Sequence, residues 1–152
     1  MKIDQPDIIA VGPDGEYLTI VEVKLREIGK SGIEQLKQIM VSLGCSVGML
    51  VSGDRIILLR DSFEKSNGES INVVAEAKLP DSLLPPADEQ WKGEHHLEFE
   101  SRVQKWLEQL KLPASTKNLP NDLKELLSEP IINLLRLGEI RAAGPRWSKA
   151  AK

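Results

Sequence analysis

The feature that most constrains the fold is a turn-forming tetrapeptide, Gly12-Pro13-Asp14-Gly15, between two short apolar segments. The segment before it is Ile8-Ile9-Ala10-Val11, and the one after it, from Tyr17 to Val23, is rich in β-branched and aromatic residues. Glycine and proline supply the dihedral angles of a reverse turn, whereas β-branched residues fit a pleated sheet. The sequence therefore predicts a β-hairpin over residues 8–23.

A helix and a second hairpin are predicted next. Apolar residues recur at helical spacing from Gly29 to Leu43, and Gly44 follows as a stop signal. Val47 to Val51 is an apolar strand, and a Ser-Gly-Asp turn joins it to a further apolar strand, Arg55 to Leu59. The predicted order is β-β-α-β-β, which indicates an α/β fold with a mixed sheet.

The rest of the chain has a different pattern. Ile71 to Ala75 is predicted as an edge strand, and helices are predicted from Glu94 to Leu110 and from Asn121 to Leu137. Pro130 should kink or split the second of these helices, because proline cannot donate the backbone hydrogen bond. The sequence thus divides into an α/β core over residues 1–75, a Pro-rich connector over 76–93, and a helical region over 94–152 that packs on the core.

Composition indicates a soluble protein with one compact unit. The chain has 152 residues, of which 41% are hydrophobic and 28% charged. No apolar run approaches the roughly 20 residues of a membrane helix, and no signal-peptide pattern opens the chain. The single cysteine, Cys45, has no partner for an internal disulfide, which favours a reducing compartment. We therefore expect a cytoplasmic protein without a membrane segment.

Charge is distributed unevenly along the sequence. The net charge is −3, which gives no overall attraction to nucleic acid. From Arg136 onward, however, the sequence contains five basic residues and only one acidic residue, Glu139. Arg141, Arg146 and Lys149 in this tail are candidates for contacts with the phosphates of DNA. The alternative is that the tail is only a solvated chain end.

The first hairpin brings two carboxylates to one face of the sheet. If Val11 pairs with Glu16 across the turn, Asp7 lies opposite Ile20 and diagonal to Glu22. Diagonal side chains on one face of a sheet are roughly 7 Å apart, a separation that a divalent cation between two carboxylates can bridge. This geometry depends on the register, because a slip of one residue would move Asp7 to the other face.

Lys24 follows two residues after Glu22 and lies on the same face. Hydrolysis of a phosphodiester requires neutralisation of the phosphoryl oxygens and a deprotonated water. Carboxylates hold Mg²⁺, and a lysine beside them orients the water or stabilises the developing charge. The alternative is that Asp7, Glu22 and Lys24 are ordinary strand residues, with an ion pair on the surface.

Pro6-Asp7 at the start of one strand, then Glu22-Val23-Lys24 at the end of the next, then a helix and a strand, resemble the PD-(D/E)xK nuclease superfamily. Within it, the chain is most similar to the nuclease domain of type I restriction subunits. Gln35 fits the glutamine of that group's Gln-x-x-x-Tyr motif, whereas Ile39 stands in place of the tyrosine. Gln35 as a simple helix-surface amide is the alternative. The resemblance covers about residues 3–60.

This resemblance implies a restriction endonuclease-like fold, DNA as substrate, and Mg²⁺ as cofactor, with Mn²⁺ able to substitute. It implies Asp7, Glu22, Lys24 and Gln35 as catalytic residues, and Asp7, Glu22 and the Val23 backbone carbonyl as metal ligands. The expected function is a metal-dependent DNA endonuclease of the restriction, repair or mobile-element type. The alternative is a catalytically inactive nucleic-acid-binding or protein-interaction domain that retains the fold.

The superfamily fold opens with a helix before the Pro-Asp strand, and this sequence has none before Pro6. We expect the helix predicted from Glu94 to pack in its place, within the chain or across a homodimer, and to bring Glu98 or Glu100 near the metal. Four apolar residues of that helix should then be buried against the sheet: Leu97, Val103, Trp106 and Leu110. His96 and Glu100 are also spaced as a metal-binding pair, although a solvated helix start explains them equally.

Overall fold

The computed structural model describes residues 6–24, 30–52, 55–64, 69–79, 96–117 and 119–142, without the side chains of residues 96–98. The elements are β1 Ile8–Val11, β2 Tyr17–Val23, α1 Lys30–Leu43, β3 Val47–Val51, β4 Arg55–Asp61, β5 Ile71–Lys78, α2 His96–Gln109, α3 Pro113–Lys117, α4 Asn121–Leu126, α5 Glu129–Leu137 and β6 Glu139–Ala142. Within these ranges, no helix is long and apolar enough to cross a membrane.

The strands form one mixed sheet, so the predicted α/β class is confirmed. The strand order is β5-β4-β3-β2-β1-β6. β2 and β3 are parallel and are joined through α1, whereas every other neighbouring pair is antiparallel. The predicted strand after residue 70 lies at one edge of the sheet and extends to Lys78, three residues beyond the predicted end of the core.

Helix α1 covers one face of the central strands. Leu36, Ile39 and Met40 of α1 are buried against residues of β2, β3 and β4. The sheet residues in this cluster include Ile20 and Leu50, both fully buried. Alternation along a strand places the side chains of Asp7 and Glu22 on this same face, because Ile9 and Ile20 lie two residues away from them.

The C-terminal helices cover the opposite face. One hydrophobic cluster joins sheet residues such as Val21 and Val23 to residues of α2, α4 and α5. Val103, Trp106 and Leu110 belong to this cluster, and each is at most 5% exposed. This packing is made within a single chain. The side chain of Leu97, which was expected in the same cluster, lies outside the described residues.

The predicted break at Pro130 is present. Helix α4 ends at Leu126, and α5 begins at Glu129, with Pro130 in its first turn. Proline is tolerated there because the first backbone N–H groups of a helix have no partner within that helix. The single helix expected from Asn121 to Leu137 is therefore two helices.

Strand β6 departs from the sequence prediction. Arg141 was expected in a basic tail, but it lies in an edge strand that pairs antiparallel with β1. Ile140 is the buried residue of this strand and joins the cluster of the C-terminal helices. The remaining tail candidates, Arg146 and Lys149, and residues 80–93 of the connector lie outside the described residues.

Candidate functional site

The register of the first hairpin places Asp7 directly opposite Glu22. Ile8 pairs with Val21, and Ile9 with Ile20. One further step along the antiparallel ladder sets Asp7 against Glu22. The predicted pairing of Asp7 with Ile20 is therefore wrong by two positions, although Asp7 and Glu22 still share a face, because side chains alternate with a period of two.

The turn explains the difference in register. The N–H of Gly12 donates to the carbonyl oxygen of Glu16 at 2.8 Å, so the chain reverses one residue later than predicted. An irregularity between Ala10 and Val11 then shifts the pairing by one more position. A bulge of this kind adds a residue to one strand and increases the local twist. The two shifts add, and directly opposed carboxylates are the result.

Each carboxylate accepts a hydrogen bond from the backbone of the facing strand. The N–H of Asp7 donates to Oε2 of Glu22 at 3.3 Å, and the N–H of Val23 donates to Oδ2 of Asp7 at 2.8 Å. These bonds fix both side chains at the end of the β1–β2 ladder. They also hold Val23, whose carbonyl is an expected metal ligand, next to Asp7.

Glu22 is the most perturbed acid of the site. The residue is only 4% exposed. Burial raises the pKa of Glu22 from 4.5 to about 9, helped by the negative charge of Asp7 and a hydrogen bond between the two side chains, while Lys24 acts in the opposite direction. Without a cation, the site therefore disfavours ionisation of Glu22. A cation between Asp7 and the buried Glu22 would offset the cost of a second negative charge there.

Lys24 and Gln35 complete the set on the α1 side. The backbone N–H of Lys24 donates to the carbonyl oxygen of Val51 at 2.9 Å, which ties the end of β2 to β3. The Nζ of Lys24 donates to Oε1 of Gln35 at 3.3 Å. A Cβ at Gly32 would lie 3.9 Å from Cε of Lys24, so the start of α1 is close to the lysine side chain. The four residues expected to be catalytic thus lie at one end of the sheet.

Glu100 is not part of this group. It is only 3% exposed and belongs to α2, which packs on the face opposite Asp7 and Glu22. Among the described residues, no group of three or more His, Cys, Asp or Glu side chains is placed to hold a metal ion. The structure therefore does not bring Glu100 to the acid pair, and the side chains of His96 and Glu98 lie outside the described part.

Arg141 was predicted from the sequence to contact phosphates, but its position on the same face of the sheet was not predicted. Arg141 of β6 pairs with Ile9, so its side chain lies on the face of Asp7 and Glu22, one strand away. Its Nε donates to Oε1 of Glu139 at 2.9 Å, and its side chain is 54% exposed. The alternation in Glu139-Ile140-Arg141 was the available signal, because its one apolar residue points to the core.

The two opposed carboxyl groups could hold a divalent cation, and the lysine, held by the amide of Gln35, could contact a phosphate. Arg141 lies one strand away from them. Comparison with protein-family models, curated protein sequences and solved structures finds no match to this chain. The function is therefore inferred from the residues and their geometry.

Proposed function

We propose that this protein is a metal-dependent DNA endonuclease with a restriction endonuclease-like, PD-(D/E)xK-type core. The observation that carries the proposal is the meeting of Asp7, Glu22, Lys24 and Gln35 at one end of β1 and β2. The β-β-α-β-β order with a parallel β2–β3 pair agrees with the sequence resemblance. Both lines of support converge on the same four residues.

The donor set fits Mg²⁺, with Mn²⁺ as a substitute. Hard carboxylate oxygens are the preferred ligands of these ions, and one oxygen each of Asp7 and Glu22 would hold the cation together with the Val23 carbonyl. The raised pKa of Glu22 supports this proposal, because burial and the nearby charge of Asp7 disfavour a second negative charge that a cation would offset. When bound, the ion would supply positive charge for the phosphate and acidify a water molecule.

Lys24 and Gln35 have distinct roles in this proposal. The ammonium of Lys24 stabilises the negative charge that develops on the phosphate as the attacking oxygen approaches. Gln35 accepts a hydrogen bond from Nζ at 3.3 Å and so would hold in place the lysine whose charge acts on Glu22. Loss of Lys24 should therefore reduce the rate strongly, whereas loss of Gln35 should have a smaller effect through the position of Nζ.

A cleavage assay tests the proposal. Plasmid and linear DNA are incubated with the protein and Mg²⁺ or Mn²⁺, and the products are followed by gel electrophoresis. We expect cleavage by the wild type and a loss of at least about 100-fold for Lys24→Ala, the usual scale for a lost catalytic group. The matched control is Lys78→Ala, which removes an exposed lysine from β5 at the far edge of the sheet. This variant should cleave at the wild-type rate. No cleavage by the wild type, or equal cleavage by Lys24→Ala, would contradict the proposal.

A second candidate is a nucleic-acid-binding or protein-interaction domain that keeps this core without activity. Two observations favour it: Asp7 and Glu22 both accept bonds from backbone N–H groups, and no third acid joins them within the described residues. Calorimetry distinguishes the two candidates. DNA binding without any heat of Mg²⁺ or Mn²⁺ binding would select the inactive domain.

A further inference from the structure

A cleft at the β6 edge of the sheet contains basic side chains that the proposed catalytic site does not use. The turn at Gly12 and Pro13, the end of α5, strand β6 and Lys111 line it. Its volume is about 410 Å³. Among the described residues, the charged side chains that line the cleft are Lys111, Arg136 and Arg141, together with the carboxylate of Glu139. On a chain with a net charge of −3, this is a local concentration of positive charge.

Backbone contacts hold two of the cations in place. The Nζ of Lys111 donates to the carbonyl oxygen of Gly138 at 2.7 Å, and the Nε of Arg136 donates to the carbonyl oxygen of Lys111 at 3.2 Å. Each bond uses one donor of its side chain. Two Nζ hydrogens of Lys111 and the terminal guanidinium hydrogens of Arg136 have no other assigned partner in the described part of the chain. Fixed cations with spare donors are suited to phosphate oxygens.

Arg141 connects this cleft to the acid pair. It lines the cleft and also lies on the face of Asp7, diagonally across the β6–β1 ladder. Val11, at the other end of β1, borders the cleft. It lies about 13 Å from Asp7, because the two are four residues apart along a strand and each residue advances it by about 3.3 Å. DNA rises 3.4 Å per base pair, so this distance corresponds to about four base pairs. A nucleic acid whose reacting phosphate lies at Asp7 and Glu22 would therefore reach the cleft with a phosphate that is a few nucleotides away.

We propose that Lys111, Arg136 and Arg141 form a binding site for a backbone phosphate of the nucleic acid, a few nucleotides from the phosphate at Asp7 and Glu22. The position relative to the acid pair rests on the proposed function, whereas the affinity for a phosphate rests on the cleft alone. Glu139 opposes the bound phosphate and competes for Arg141, because it accepts hydrogen bonds from both Nε and Nη2 of that side chain.

The test uses the full chain and a short labelled DNA duplex without divalent metal, so that binding is measured without cleavage. Affinity is measured by fluorescence anisotropy between about 50 and 200 mM salt. The Lys111→Gln, Arg136→Gln double variant should bind DNA more weakly. The slope of the logarithm of the binding constant against the logarithm of the salt concentration should become shallower by up to about 1.8, because each lost phosphate contact contributes about 0.9. The charge-matched control is Lys78→Gln with Lys124→Gln, two exposed lysines on β5 and α4 near the opposite sheet edge.

Glu139→Gln gives a change of the opposite sign, which loss of folding cannot mimic. Removal of this carboxylate should tighten DNA binding several-fold and steepen the salt slope. Melting curves of all variants verify that they fold.

Equal slopes for the basic double variant and its control, or no gain in affinity for Glu139→Gln, would overturn the cleft site even if the wild type cleaves DNA. Binding that follows this pattern without cleavage would keep the cleft site and reject the nuclease proposal. Inorganic phosphate is titrated separately; its binding without any DNA binding would overturn the assignment to nucleic acid.

Discussion

Glu22 links the candidate site to the stability of the fold. In the unfolded chain its carboxyl ionises with a pKa of 4.5, whereas in the folded, metal-free protein the pKa is about 9. Between these values the folded state keeps a proton that the unfolded state has lost. The free energy of unfolding should therefore fall as the pH rises from 4.5 to about 9, by at most about 1.4 kcal/mol per pH unit from this residue. Urea denaturation over this range measures the fall.

The Glu22→Gln variant isolates this effect. The substituted amide would still accept the hydrogen bond from the Asp7 N–H but would not ionise. The unfolding free energy of the variant should therefore lack that fall and exceed the wild type's increasingly toward pH 9. Glu125→Gln changes an exposed carboxylate on α4 and serves as the control. If the difference between wild type and Glu22→Gln stays constant with pH, Glu22 is not the buried proton-binding group described above.

Asp7 allows a test of the cation site in solution. A ligand that binds only the folded state stabilises it, by about 2.7 kcal/mol at 100 times its dissociation constant. Mg²⁺ or Mn²⁺ should therefore raise the melting temperature of the wild type and leave that of Asp7→Asn almost unchanged, since the asparagine can still accept the bond from Val23 but carries no charge. Asp122→Asn, on the surface of α4, should respond to the ions like the wild type. An equal rise in Asp7→Asn would place the ion elsewhere.

At the level of elements, the C-terminal helices stabilise the sheet through large apolar side chains. Trp106 is 5% exposed within the cluster that joins α2 to the sheet. Trp106→Ala should lower the free energy of unfolding by about 3 kcal/mol or more, through lost burial and the cavity that remains. Leu112→Ala, at a residue 59% exposed, should cost well under about 1 kcal/mol. A small loss for Trp106→Ala would show that the helices do not stabilise the sheet in this way.

The contribution of strand β6 to the free energy of unfolding can be measured apart from that of the residues that follow it. Truncation after Gly138 removes buried Ile140 and exposes the edge of β1, so it should cost at least about 2 kcal/mol. Truncation after Ala142 keeps the strand, so this chain should be more stable than the chain that ends at Gly138, by at least about 2 kcal/mol. Denaturant unfolding of the two truncated chains makes the comparison. Equal stability of both would mean that β6 contributes little to the fold.

The same elements show what the sequence could predict and what it could not. Local signals gave the first hairpin, α1 and the split near Pro130, because turn residues, helical periodicity and proline act over a few residues. The predicted register was wrong by two positions. One came from the turn at Gly12, and the other from a bulge beside Val11, which depends on how the whole sheet twists. β6 was missed because a strand of four residues with a single large apolar side chain, Ile140, carries little pattern, and its partner β1 is at the other end of the chain. The prediction that Asp7 and Glu22 share a face was nevertheless right. A shift of two residues returns each side chain to the same face, because side chains alternate with a period of two.

At the scale of the whole molecule, the two faces of the sheet have different roles. α2, α4 and α5 bury the face of Val21 and Val23, whereas α1 covers only part of the other face. The acid pair, Lys24 and Arg141 all lie on that second face or at its edge. Positive charge at the β6 edge and a cation at the acid pair would together attract a polyanion to an otherwise acidic protein. In this account, the nucleic acid lies along that second face and the β6 edge, and the reaction takes place at the acid pair.

The most direct test of this account is a crystal structure of the protein soaked in Mn²⁺, with the ion located by its anomalous scattering. The account predicts a peak between Asp7 and Glu22, within about 2.0–2.6 Å of one carboxylate oxygen of each, the usual range for hard cations and oxygen ligands. A peak absent from Asp7→Asn crystals soaked identically would assign the ion to this pair. Wild-type crystals with Mn²⁺ bound only elsewhere, or with both carboxylates still bonded to the backbone and no ion between them, would contradict it.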